Sequence, residues 1–107
     1  MRRVSGAVVL GLLLIASTLG VGAQEPGLVH AGQQLFWAEG CYGCHTVRAA
    51  GTPIGPDLSR IGLRYSEDYL RRWVLDPEAQ RPTAHMPRLE LEPRQATALA
   101  AFLSSLR

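Results

Sequence analysis

The chain has 107 residues, with 11 basic side chains, all of them arginine, against nine acidic ones, for a formal charge of +2. That length holds one small domain and excludes a multi-domain enzyme. Two cysteines exclude a multi-disulfide scaffold, yet a core this small needs a staple, which leaves a metal or a covalent cofactor as the natural candidates.

In chain order, Met1-Arg2-Arg3 forms a positive start, Ala7 to Ala16 is almost wholly apolar, and Val21-Gly22-Ala23 supplies the small residues that a signal peptidase inspects. Residues 1–23 are therefore expected to be a signal peptide cut before Gln24, leaving 24–107 as the domain, in a periplasmic or otherwise extracytoplasmic bacterial setting. The alternative is that Val4–Ala23, just long enough to span a bilayer, stays as a membrane anchor. A lipoprotein anchor is excluded because the only cysteines are Cys41 and Cys44. Without Arg2 and Arg3, nine arginines face nine carboxylates. Such a neutral domain does not suit a nucleic-acid partner.

The first predicted helix runs from about Val29 to Glu39 and stops at Gly40, a residue suited to the left-handed position after a helix. His30, near its start, reads as an exposed capping residue. The second helix follows Ser66, an N-cap candidate, with Glu67 and Asp68 in the first turn and Leu70, Trp73 and Val74 as an apolar stripe. It should end by Asp76, because Pro77 disfavours the helical conformation before it. The third begins near Pro93 and presents one apolar face of Ala96, Leu99, Phe102, Leu103 and Leu106. No stretch alternates convincingly, so no strand is expected. Gly51–Pro56 and Pro77–Pro93 read as loops. The fold class is all-α, with three main helices joined by long loops.

The chemistry concentrates in Cys41-Tyr42-Gly43-Cys44-His45, the C-x-x-C-H attachment pattern of c-type haem. Two cysteines three apart on a tight turn can reach one porphyrin edge as thioethers, and the histidine that follows can coordinate iron. A redox-active dithiol, a structural disulfide and half of a zinc site are the competing readings. A dithiol usually opens a helix after a strand, and only His30 and His85 remain as further histidine ligands for zinc. With Met1 the initiator, Met86 is the remaining thioether, in a loop between Pro82 and Pro87. A thioether opposite histidine favours ferrous iron and raises the potential. His85 is the competing ligand, although neighbours on an extended segment face opposite ways. Gly55-Pro56-Asp57-Leu58 is a candidate source of the carbonyl that a metal-bound histidine needs to fix its ring.

With those residues in place, the chain resembles a class I (mitochondrial-type) c-type cytochrome in a short bacterial form. It is especially similar to the cytochrome c domain of haem–copper oxidase subunit II. The resemblance covers roughly Ala31 to Leu106 and implies a cytochrome c fold wrapped around one haem c. It places Gly32 and Phe36 in the first helix where Phe102 of the last helix crosses it. It assigns the Pro56 carbonyl to the iron-bound histidine, Arg64 to a haem propionate, and Trp73 to the methionine side of the haem. Asp76-Pro77, Pro82 and Met86 keep the family's order and spacing. The implied ligand set is His45 and Met86, with both axial positions filled. No open iron site for substrate then remains, and an electron carrier rather than an enzyme is expected. Its partners would be a redox donor and acceptor, including a membrane oxidoreductase; a permanent cytochrome subunit of a larger oxidoreductase complex is the alternative. Two features depart from the family. The segment between Arg64 and Ser66 is very short, and lysine is absent. The largely uncharged run Ala49–Ile54, with Pro82–Ala84, is the expected docking face, so association should depend weakly on salt.

Overall fold

The structure, a computed structural model, describes residues 25–107 together with Gly6 and Gly11. Apart from those two glycines, the expected signal segment lies outside the described residues. Among the described residues, no helix is long and apolar enough to cross a membrane.

Helix α1 spans Pro26–Ala38, three residues earlier than the apolar pattern suggested. Pro26 supplies a pre-set φ at the first helical position, where its missing N–H costs nothing. The Glu25 carbonyl accepts from Leu28 and Val29 at 2.9 and 3.2 Å. His30 is therefore no cap. It sits within the helix, exposed, with Nε2 3.1 Å from the side-chain amide of Gln34 one turn on. The chain leaves α1 through Gly40, whose φ of 76° is the left-handed conformation expected there.

Helix α2, Glu67–Leu75, starts as its sequence predicts: the Ser66 hydroxyl accepts from the Tyr69 N–H at 3.1 Å. Leu70 and Val74 are buried. Pro77 ends α2, but it also begins a one-turn helix α3, Pro77–Gln80, that the sequence reading assigned to loop. Asp76 caps it, accepting from the Ala79 N–H at 3.3 Å. Terminator and first-position proline are the same residue here.

Helix α4, Pro93–Ser105, differs more from expectation. It buries not one face but nearly its whole circumference: Ala96, Ala98, Leu99, Ala100, Ala101, Phe102 and Leu103. The reason is its position, since both α1 and α2 pack against it. A 3₁₀ turn at Ile61–Leu63 also reaches its C-terminal end, where the Gly62 N–H donates to the Leu106 carbonyl at 2.8 Å. The alanines let these elements approach closely. At the α1 crossing a Cβ on Gly32 would collide with the Ala98 carbonyl and lie 2.7 Å from Phe102 Cβ. Phe36 and Phe102 meet beside it, with ring centroids 5.4 Å apart.

The remaining difference is a small hairpin. β1 (Thr46–Val47) and β2 (Ala50–Gly51) pair antiparallel, Thr46 opposite Gly51 and Val47 opposite Ala50. Their two-residue turn, Arg48-Ala49, has φ of 50° and 65°. Such turns are ordinarily signalled by Asn-Gly or Asp-Gly, so Arg-Ala concealed it. The described chain is thus mostly helical, with four helices and two very short strands.

Candidate functional site

The end of α1 sets up the first half of the site. From Gly40 the chain enters a 3₁₀ turn, Cys41–Gly43, and both Cys44 and His45 donate their N–H groups to the Cys41 carbonyl, at 3.2 and 2.9 Å. At three residues per turn, side chains three apart lie on the same side, so Cys41 and Cys44 share a face. Tyr42, between them, anchors the turn to α1. Its ring meets Phe36 edge-on with centroids 4.6 Å apart and stacks on Trp37 at 3.8 Å. Sequence reasoning gave Tyr42 no role, because its partners lie on a neighbouring helix.

The two thiols differ. Cys41 is half-buried against the core and Cys44 is exposed. Burial pushes the Cys41 thiol up to about 11, its own backbone hydrogen bond pulling the other way and Glu39 adding slightly to the rise. Redox dithiols work through a lowered thiol pKa, and Cys41 is displaced in the opposite direction. Among the described residues, no group of three His, Cys, Asp or Glu side chains could hold a metal ion, which leaves the zinc reading without its ligands.

His45 follows directly and is half-buried. Its Nδ1 lies 2.7 Å from the Pro56 carbonyl oxygen. A carbonyl only accepts, so Nδ1 carries the hydrogen, and in the neutral imidazole that tautomer leaves the Nε2 lone pair for a metal. Gly55 makes this approach possible. A Cβ there would stand 2.7 Å from His45 Cε1 and 3.0 Å from Nδ1.

The loop bearing Pro56 is fastened to the hairpin by a polar cluster that the sequence reading missed. The Leu58 N–H donates to the Thr46 carbonyl at 2.8 Å. Asp57 Oδ1 accepts from the Thr46 hydroxyl at 2.8 Å and the Ser59 hydroxyl at 2.9 Å. Ser59 Oγ in turn accepts the Arg48 N–H at 2.7 Å. These hydrogen bonds hold the Asp57 carboxyl below its ordinary value, Thr46 contributing most and Ser59 next. Only the spacing of 11 between Thr46 and Asp57, and between Arg48 and Ser59, marks the cluster in the sequence.

The second half of the site is the Met86 loop. Met86 is half-buried, whereas His85 is exposed. Trp73, from α2, donates its indole N–H to Met86 Sδ at 3.3 Å. A thioether sulfur has two lone pairs, so accepting this hydrogen bond leaves one free. Trp73 also continues an aromatic column along α2, with Tyr69 at 6.2 Å and Tyr65 a further 4.8 Å away. Arg64 is exposed, its guanidinium 5.9 Å from the Tyr65 ring centroid. The described contacts thus join His45 with Pro56 and Met86 with Trp73; they do not bring Arg64 to either pair.

This donor set fits an iron porphyrin: paired thiols on one face of a turn, an imidazole whose Nδ1 is engaged so that Nε2 is the nitrogen left for a metal, and a thioether with a lone pair to spare. The comparisons with known proteins agree. The family model described as Cytochrome c matches residues 29–107. Cytochrome c oxidase subunit 2 of Alkalihalophilus pseudofirmus is 30% identical over an alignment of 89 residues that covers 75% of this chain and 26% of that protein. The chain therefore spans about a quarter of that relative's length.

Proposed function

Since the chain belongs to the cytochrome c family, we propose that it is a monohaem one-electron carrier working outside the cytoplasm, in a respiratory or dehydrogenase-linked chain. The family transfers electrons with a covalent haem c, and this chain presents the attachment pattern at Cys41, Cys44 and His45. When bound, the haem supplies a single-electron Fe(II)/Fe(III) couple; the protein's part is to bind, orient and tune it. Cys41 and Cys44 would form the thioethers, and His45 Nε2 and Met86 Sδ would bind the iron. Pro56 fixes the His45 ring, Trp73 holds the sulfur on its side, and Arg64 serves a propionate. The observation that carries this reading is the hydrogen bond from His45 to Pro56, because it fixes the tautomer that leaves Nε2 available.

The partners are a redox donor and acceptor, one of them a membrane oxidoreductase. They meet the exposed, uncharged run Ala49–Ile54, in which Ile54 is 74% exposed. A second reading, a permanent subunit of a larger oxidoreductase, draws on the similarity to a protein named as an oxidase subunit. Native pull-down from membranes separates the two: a stoichiometric large partner favours the subunit, and an unaccompanied chain favours the free carrier. The cofactor is tested by expressing the chain in a host with haem-attachment machinery and weighing the exported product. The expected mass is that of the cleaved chain plus one haem. A colourless chain of polypeptide mass overturns the proposal.

A further inference from the structure

The loop that supplies the Pro56 carbonyl is not braced by a regular element of its own. Residues 52–60 contain neither helix nor strand, and Pro56 has no N–H with which to pair. Position is instead imposed from the segment Cys44–Arg48. The Cys44 carbonyl accepts from Ile54 and Gly55, and the Thr46 carbonyl accepts from Leu58. These backbone bonds set the register, but from Pro56 to Ser59 only Leu58 makes one to that segment. The side chains add further ties to that same segment through a single acceptor atom, Asp57 Oδ1, which gathers the Thr46 and Ser59 hydroxyls, while Ser59 Oγ takes the N–H of Arg48. Arg48 lies in the positive-φ turn, a strained conformation for a side chain with a Cβ. The cluster thus fixes both the loop and the turn facing it.

We infer that Asp57 is a positioning residue for His45: its carboxylate locks the Pro56 loop to the hairpin and so sets the strength of the His45 Nδ1–H to Pro56 hydrogen bond. The inference rests on the reading of His45 as an axial ligand. A short, well-directed bond at Nδ1 makes Nε2 a stronger base, and a more basic imidazole favours ferric over ferrous iron. Loosening the loop lengthens that bond and raises the reduction potential. A formal charge near the site would also change the potential, but by a different route. Asparagine separates the two, since its carbonyl oxygen still accepts hydrogen bonds but carries no charge.

The test uses the haem-loaded protein in its reduced, diamagnetic state and follows exchange of the His45 Nδ1–H by NMR, alongside the potential. In Asp57→Ala the proton should exchange faster by on the order of tenfold, the loss of about one net hydrogen bond. The potential should rise above that of Asp57→Asn, which should keep the wild-type exchange rate. Thr46→Val removes one of the two hydroxyls while keeping strand propensity, and should give a smaller change of the same sign. It also serves if Asp57→Ala does not fold. Unchanged exchange in a normally loaded Asp57→Ala or Thr46→Val chain overturns the inference. So does an Asp57→Asn variant that matches Asp57→Ala in both readouts, because charge alone would then account for the effect. A wild-type chain that carries no haem overturns the functional reading instead, so the two failures are distinguishable.

Discussion

At the residue scale, the Met86 sulfur has one hydrogen-bond donor, the Trp73 indole at 3.3 Å. Removing the sulfur and removing its donor should have different consequences. Met86→Ala should abolish the weak far-red charge-transfer band of ferric His/Met haem; a band that persists would exclude Met86 as the ligand. Trp73→Phe keeps a ring but deletes the N–H. The band should then remain while the potential falls, because the positive end of a dipole no longer opposes oxidation beside the sulfur. Asp57 offers a measurement by pH. Its folded-state pKa lies below the ordinary 3.8, with Thr46 the first cause and Ser59 the second. A lowered value contributes stability that is complete above the ordinary pKa and is lost as pH falls through the folded one. Denaturation midpoints of wild type and Asp57→Asn should therefore hold a constant difference above about pH 4 and converge in stronger acid.

At the element scale, local sequence and tertiary packing each leave a mark that substitution can read. The Arg48-Ala49 turn carries two non-glycine residues at positive φ. Ala49→Gly should raise stability by about 1 kcal/mol in denaturant unfolding, relief of the left-handed strain outweighing the entropy that glycine adds to the unfolded chain, with no change in the absorption spectrum. A stability loss would mean that the alanine methyl makes a contact worth more than the strain. The α1–α4 crossing works in the opposite sense. The missing side chain at Gly32 lets the two backbones touch, and an added methyl meets the Ala98 carbonyl rather than a flexible side-chain end. Gly32→Ala should cost about 3 kcal/mol, the upper end of overpacking penalties, and lower the denaturant midpoint. By contrast, the Arg71 and Arg72 ion pairs to Asp68 are solvent-exposed and contribute little.

At the scale of the whole molecule, the charge distribution bears on how partners are met. The described domain has equal numbers of arginines and carboxylates and no lysine, and the run Ala49–Ile54 is exposed and uncharged. Electrostatic steering needs a concentrated field of one sign, which this face does not offer. The rate of electron exchange with its partner should therefore be nearly flat from low to moderate ionic strength in stopped-flow measurements. A steep fall would place charged groups at the contact and move the docking face elsewhere.

What the amino-acid sequence determined by itself was whatever depends on near neighbours. The C-x-x-C-H turn, the Gly40 exit from α1, the Ser66 cap and the start of α4 at Pro93 each rest on residues within a few positions of one another, where spacing alone fixes geometry. The apolar residues assigned to the core of α4 are buried as well. Tertiary structure decided what depends on distant chain segments meeting. It buried α4 on nearly all sides because both α1 and α2 lean on it. It made an Arg-Ala turn tolerable because Ser59 accepts the Arg48 N–H, and it gave Tyr42, Thr46, Asp57 and Ser59 their work. Periodicity records which face of a helix is apolar, but not how many neighbours will cover it; nor does composition show that two hydroxyls will meet one carboxylate across a loop. Those outcomes arise only when the folded chain brings the groups within hydrogen-bonding distance.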